Sequence, residues 1–229
     1  MHEHKWEPFE GICCTHVKCS VCDVIKKIDI CSFHKPLVNS YLDRAYFKRG
    51  DEFFSSDDIP NNRTHMQEFD AACEQLKLAT KLQYGCQVLE VGMGIGNLVP
   101  WFLKNQINYT GIDFNRWACN YVHDCFGVKT IWADFLKYPF STWFGWILAL
   151  HTLEHLEDPE KCLEKMISLA SYGVLVLIPN GSDLYNPDHM HFWNEKCIRS
   201  WFEELGLKNV ESYILPMPKE DYIWIKGEK

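Results

Sequence analysis

The chain has no apolar run approaching the roughly 18–20 residues that a transmembrane helix requires. Its first residues are polar and rich in His and Cys, unlike the charged-then-apolar pattern of a secretory leader. Neither a membrane span nor an export signal is expected, and the expected home is the reducing cytoplasm. Positive charge is in short supply: 23 Lys and Arg stand against 31 Asp and Glu, a net charge of −8. That balance argues against a non-specific grip on a phosphate backbone. Residues 1–50 depart from the rest, with eight basic against six acidic residues. Internal repeats and low-complexity stretches are missing too. What remains is bulk: 229 residues, 47% hydrophobic and 14% aromatic, enough for one packed α/β domain with a small appendage.

Two familiar glycine-loop chemistries are absent. No Gly-Lys-Ser/Thr follows a glycine turn, which excludes a Walker loop. In Val88-Leu89-Glu90-Val91-Gly92-Met93-Gly94-Ile95-Gly96-Asn97-Leu98 the third glycine comes two residues after the second. A nicotinamide fingerprint needs it three residues after, where this chain has Asn97. The segment reads as a buried strand turning tightly into a helix, with backbone bare enough to touch a ligand. Helix starts carry unpaired N–H groups and partial positive charge, so the turn suits a carboxylate or phosphate.

The order Glu90-x-Gly92-x-Gly94-x-Gly96 resembles motif I of the class I S-adenosylmethionine-dependent methyltransferases. Later segments fit the same resemblance. Asn108–Ile112 reads as a second strand ending at Asp113-Phe114, and Asp113 lies 19 residues after Gly94. A carboxylate there can accept hydrogen bonds from both ribose hydroxyls of a nucleoside. Val128–Trp132 reads as a third strand, followed by Asp134-Phe135. The resemblance implies that Asp134 takes the adenine amino group while its neighbour flanks the ring. Trp146–Leu150 is a fourth strand, followed by His151-Thr-Leu-Glu154-His155-Leu-Glu-Asp158-Pro159, similar to the Leu-Glu-His segment of the family. Glu90, Gly92, Gly94, Gly96, Asp113, Phe114, Asp134, Phe135 and Leu150 are thereby the expected cofactor residues. One departure is Gly145, where members usually carry Asp.

Methyl transfer is an in-line displacement at a sulfonium, so the protein chiefly aligns the acceptor and removes its proton. His151, at the mouth implied for the cofactor, is the candidate base, since histidine titrates near neutrality. The expected acceptor is a small molecule with an O, N or C nucleophile. Ubiquinone-pathway O-methyltransferases and small-RNA ribose 2′-O-methyltransferases hold a divalent ion with Glu-x-x-Glu-His at this place. Here the set reads His151, Glu154, His155, with His189 or His191 as a fourth ligand. The resemblance thus leaves open a divalent metal near Glu154 and His155, and with it RNA-end methylation, which sits awkwardly with the charge. A non-enzymatic adaptor that binds cofactor or zinc is the other alternative.

Eleven cysteines without a secretory signal do not read as a disulfide framework. Cys73, Cys86, Cys119, Cys125, Cys162 and Cys197 are scattered, as core or half-buried fillers are. The other five crowd into residues 13–31. Cys19-x2-Cys22 and Cys31-x2-His34 offer four N/S ligands suited to a structural tetrahedral zinc, which would fold a segment too short for its own core. Cys13, Cys14 and His16 are substitutes for any of the four.

The expected organisation is a Cys/His-rich segment over 1–40, a lid or linker over 41–62, and a methyltransferase domain over 63–229. A helix is predicted from Asn62 or Thr64 to about Leu82. Others begin at Pro159 and after Asn194, the last stopping at Gly206. Strands are predicted over Gly173–Ile178, Lys208–Tyr213 and Tyr222–Lys226, and the family's antiparallel final strand fits the turn at Pro216–Pro218. Strand–helix alternation demands a mostly parallel sheet covered on both faces. The expected fold is Rossmann-like α/β, with seven strands.

Overall fold

The computed structural model describes residues 3, 5–9, 15–21, 24–29, 82, 85–181, 189–216 and 221–229. The predicted helix up to residue 81, the segment 41–62, and Cys13, Cys14, Cys22, Cys31, His34 and Cys73 lie outside that set.

The described part of the domain alternates as expected. Strand β4 (Gln87–Val91) leads to helix α1 (Val99–Lys104), β5 (Asn108–Asp113) to α2 (Arg116–Phe126), and then comes β6 (Lys129–Trp132). Strand β7 (Phe144–Leu150) runs through a short 3-10 turn (Leu153–His155) into α3 (Pro159–Leu169), followed by β8 (Ala170–Pro179). The short β9 (His191–Phe192), α4 (Glu195–Glu204), β10 (Lys208–Leu215) and β11 (Tyr222–Glu228) complete it. The seven-stranded sheet has the order β10-β11-β8-β7-β4-β5-β6. Pairings from β8 to β6 are parallel, and β11 is antiparallel to both of its neighbours.

Side chains alternate across a strand with period two, and this alternation sorts the core into two layers. Leu89, Ile147, Ala149, Val174, Val176, Ile223 and Ile225 join one apolar cluster with residues of α3 and α4. Val88, Trp146, Leu148, Leu175, Leu177 and Trp224 join the other with residues of α1 and α2. Helix starts are fixed locally: the side chains of Asn115, Asp158 and Asn194 accept the amides of Ala118, Lys161 and Cys197. Phe202, fully buried on α4, serves as a test of this packing. Phe202→Ala is expected to cost about 3–5 kcal/mol of unfolding free energy, from lost transfer energy and the cavity left behind. Urea titration of the variant measures it.

Most scattered cysteines are fillers: Cys119, Cys162 and Cys197 are buried, Cys86 is half-buried, and Cys125 is exposed. Burial pushes the Cys119 and Cys162 thiols up to about 12, which keeps them unreactive. Gly145 has a packing reason: a Cβ there would press on Cys86 Sγ at 2.8 Å and on Tyr172, so an Asp would displace both.

The amino-terminal region differs most from expectation. Strands β1 (Trp6–Phe9), β2 (Thr15–Cys19) and β3 (Ile25–Asp29) form an antiparallel meander, and β9 of the domain adds itself as the fourth strand. The described part of residues 1–40 therefore shares a sheet with the domain.

Candidate active site

Past Val91 the chain turns through Gly92, Gly94 and Gly96, at φ 71°, 53° and 74°. This left-handed backbone is open to glycine at little cost and to other residues only with strain. Space is short as well. A Cβ on Gly92 would collide with the Thr152 side chain, and one on Gly96 would stand 2.9 Å from Val122. Thr152 cannot step aside freely, because its hydroxyl lies 3.0 Å from the Val91 carbonyl and 3.1 Å from that of Leu150. Met93 lies flat on Gly111 of β5, where any Cβ would meet its sulfur. Gly85 provides a comparison: its φ is 76°, yet nothing lies within 4 Å of a Cβ there. Gly85→Ala is expected to lose about 1–2 kcal/mol from left-handed backbone alone, and Gly92→Ala more, since Thr152 must also move. Denaturation of the two variants compares them, and equal losses would mean that Thr152 yields without cost.

Asp113 closes the turn from the neighbouring strand. Its Oδ2 accepts the Gly94 amide at 3.0 Å and its Oδ1 the Asn115 amide at 2.8 Å. Burial raises its carboxyl above the ordinary range, and the two amides pull it back. Each oxygen keeps a lone pair beyond the one used here. Phe114 follows, 46% exposed. Its carbonyl accepts the Trp132 indole N–H at 2.9 Å, and the Arg116 guanidinium covers the Trp132 ring at 4.9 Å. These groups make an aromatic shelf at the ends of β5 and β6.

Asp134 caps the turn after β6, accepting the Leu136 amide at 2.9 Å and pairing with Lys137 at 2.8 Å. The Lys137 ammonium holds its carboxyl below the usual range. Phe135 is turned into the core against Phe140, so the exposed ring beside the turn belongs to Phe114.

Glu90 is 4% exposed and accepts the Tyr109 hydroxyl at 2.6 Å. Burial pushes its carboxyl up to about 8; the Tyr109 bond opposes this and the Asp113 charge adds to it. A raised acid binds its proton more tightly in the native state than in the unfolded chain. Its contribution is therefore full below the ordinary carboxylate range and is lost as pH rises toward about 8. Glu90→Gln, which stays neutral, is expected to flatten the pH dependence of the thermal midpoint across that window. Unchanged dependence would place the proton elsewhere.

At the end of β7, half-buried Leu150 precedes His151, which has φ 50° although it is not glycine. Such strain persists where the surroundings over-determine it and clusters at functional sites. The His151 amide donates to the Leu177 carbonyl at 2.9 Å, and its ring meets Tyr222 edge-on at 4.7 Å. Glu154 is fully buried. His151 Nδ1 and His155 Nε2 stand 3.5 and 4.0 Å from its Oε1, and neither carboxylate oxygen has a hydrogen-bond partner among the described residues. Burial alone would raise this carboxyl; the imidazoles of His151, His155 and His189 outweigh it and hold it low. Glu154, His155 and His189 each bring a ligand atom within 4.8 Å of the others. His191 stacks on Trp193 at 5.5 Å instead and is not in that group.

The glycine turn after β4 is thus tied to an acid at the end of β5, and a histidine in left-handed backbone follows β7 on the other side of β4. The chain belongs to the methyltransferase-domain family, whose profile matches residues 63–212. The family makes the protein a methyltransferase. Its fold is similar to that of magnesium protoporphyrin IX methyltransferase from Synechocystis PCC 6803 with bound SAH. That match has TM-score 0.68 and 15% identity, covering 86% of this chain and 99% of the other. It is also similar to 1,6-didemethyltoxoflavin-N1-methyltransferase from Burkholderia thailandensis, with TM-score 0.63 and 16% identity, over 97% and 99% of the two chains. No curated protein matches.

Sequence reasoning passed over Thr152, Tyr109, Gly111 and Tyr222. Thr152 lies inside a segment already singled out, but its role depends on a contact with Gly92 that no local pattern announces. Gly111 offered the one usable signal, a glycine in the middle of a buried strand.

Proposed function

We propose that this protein transfers a methyl group from S-adenosylmethionine to an O, N or C nucleophile of a small molecule, with His151 taking the acceptor's proton. The observation that carries the reading is Asp113, buried at the end of β5 and bonded back to Gly94. In it, Asp113 accepts the ribose hydroxyls, Gly92 to Gly96 admit the amino-acid end of the donor, and Phe114 and Asp134 flank the adenine. Leu150 borders the donor at the end of β7, and protonated Glu90 braces the turn from below. The nucleophile attacks the methyl carbon, the carbon–sulfur bond breaks, and its electron pair stays on sulfur. The acceptor's proton, where it has one, goes to the His151 imidazole. The magnesium protoporphyrin IX and 1,6-didemethyltoxoflavin enzymes are named for small-molecule acceptors, which supports that class. Methyl-labelled donor incubated with a deproteinised metabolite extract tests it. Label is expected in a small organic product, and its absence would overturn the reading.

Two metals belong to the same proposal. The buried, unsatisfied carboxylate of Glu154 beside His155 and His189 fits a divalent ion of the kind that takes two imidazoles and a carboxylate. Such an ion would acidify a bound hydroxyl. Manganese titration followed by electron paramagnetic resonance is expected to show one site, lost in Glu154→Gln. No described helix is long and apolar enough to cross a membrane, and a reducing compartment suits the thiols of Cys86, Cys119 and Cys162.

The second metal is a structural zinc on Cys19, Cys22, Cys31 and His34. Of these, Cys19 is described: it is fully buried, and its sulfur accepts the Val21 amide at 3.4 Å within a tight turn. Metal analysis of the wild type against Cys19→Ser/Cys22→Ser checks it, and a zinc-free wild type would end the idea.

A further inference from the structure

We infer that the sheet β1-β2-β3-β9 is the acceptor-side wall of the site and sets acceptor affinity independently of donor affinity. The inference rests on the methyl-transfer reading above. Ligands of open α/β sheets sit beyond the carboxyl ends of the strands. Here the ends of β4, β5 and β6 carry the donor residues, which leaves the ends of β7 and β8 for the acceptor. Those are the ends to which the small sheet is fastened.

The fastenings are of three kinds. Strand β3 pairs with β9 through Ile25↔Phe192 and Lys26↔His191. Strand β9 is itself held to the segment after β7, because the Met190 amide donates to the Glu154 carbonyl at 2.6 Å. It is held to the end of β8 by a bridge between Asn180 and Trp193. Apolar packing adds to these bonds: Val24 and Cys19 are buried in the same cluster as Leu153 and Trp193. Lys26 also adds its positive charge to the environment of Asp158 at the start of α3. His189, which completes the group with Glu154 and His155, lies two residues before β9 and meets the Phe192 ring at 6.1 Å. The amino-terminal sheet therefore fixes the strand that the acceptor-side histidine leads into.

Strand β3 lies between β2 and β9. A proline in an interior strand removes a ladder hydrogen bond, so Lys26→Pro in the full-length chain loosens the sheet without touching a donor residue. Phe192→Ala is a second route from the other partner, for use if the proline variant fails to fold. Trp143→Ala, just before the start of β7 at the end of the main sheet away from the site and 68% exposed, is the control. Calorimetry gives the affinity for S-adenosylmethionine, and labelled transfer into a deproteinised metabolite extract gives the amount of extract needed for half-saturation. Amide exchange reports which segments open.

In Lys26→Pro the half-saturating amount is expected to rise about tenfold or more, a loss of about 1.4 kcal/mol or more in acceptor binding. Donor affinity should stay as in wild type, and exchange should quicken at 189–193 and 153–156 while 88–96 is unchanged. Trp143→Ala should alter none of these. Unchanged half-saturation with faster exchange at 189–193 would make the sheet a mere cover and overturn the inference. So would a parallel loss of donor affinity, which would make the sheet a support for the whole fold. Failure of the wild type itself to bind donor or label any product would instead sink the methyl-transfer reading.

Discussion

His151→Asn is expected to slow methyl transfer by about 10²–10⁴-fold, the usual contribution of a positioned general base, with donor affinity unchanged. Asparagine is the informative replacement because it tolerates the left-handed backbone that position 151 adopts at φ 50°. Alanine would add a backbone penalty to the chemical one. The ring is fixed on two sides, by Tyr222 edge-on at 4.7 Å and by Glu154 at 3.5 Å from Nδ1, and in the proposed reaction Nε2 takes the acceptor's proton. Single-turnover labelling separates the chemical step from binding. A variant that transfers as fast as wild type would assign the proton to another group and leave His151 as a strained support.

Asp113→Ala is expected to weaken S-adenosylmethionine binding by more than about a hundredfold. Two hydrogen bonds to a charged acceptor are worth about 1.5–3 kcal/mol each, and about 1.4 kcal/mol is tenfold in affinity. The substitution also frees the Gly94 and Asn115 amides that Asp113 now accepts, so the glycine turn loses its tie to β5. Asp113→Asn is expected to do little better, because its amide nitrogen would face one of two N–H donors. A circular-dichroism melt keeps loss of fold apart from loss of binding. Donor affinity within a few-fold of wild type in a folded variant would move the ribose site away from β5.

Much of this molecule was legible because its information is local. Near-continuous apolar runs in Val88–Val91, Trp146–Leu150 and Val174–Ile178 mark strands buried on both faces, and Asn194, Asp158 and Pro159 mark helix starts. The glycine spacing excluded a nicotinamide fingerprint, and the lack of Gly-Lys-Ser/Thr a Walker loop. Strand edges were misjudged where pairing extends them: β8 begins at Ala170 and β10 runs on to Leu215, both held by neighbours distant in sequence. The contacts that shape the site are the least local of all. Tyr109 reaches Glu90 across 19 residues and Thr152 reaches Val91 across 61. No periodicity in the amino-terminal segment signalled a meander, since β9, the strand that completes it, lies far along the chain. Cys19 drew notice for its spacing to Cys22, while its place in a shared core became visible only in three dimensions.

The most direct measurement is calorimetric titration of S-adenosylhomocysteine, the demethylated donor, into the full-length protein, with amide exchange followed in parallel. Saturable binding at one site per chain, with new protection over 88–96 and 111–115, is the expected result. No binding by a folded protein, or binding that protects neither segment, would contradict the assignment of the glycine turn to the methyl donor.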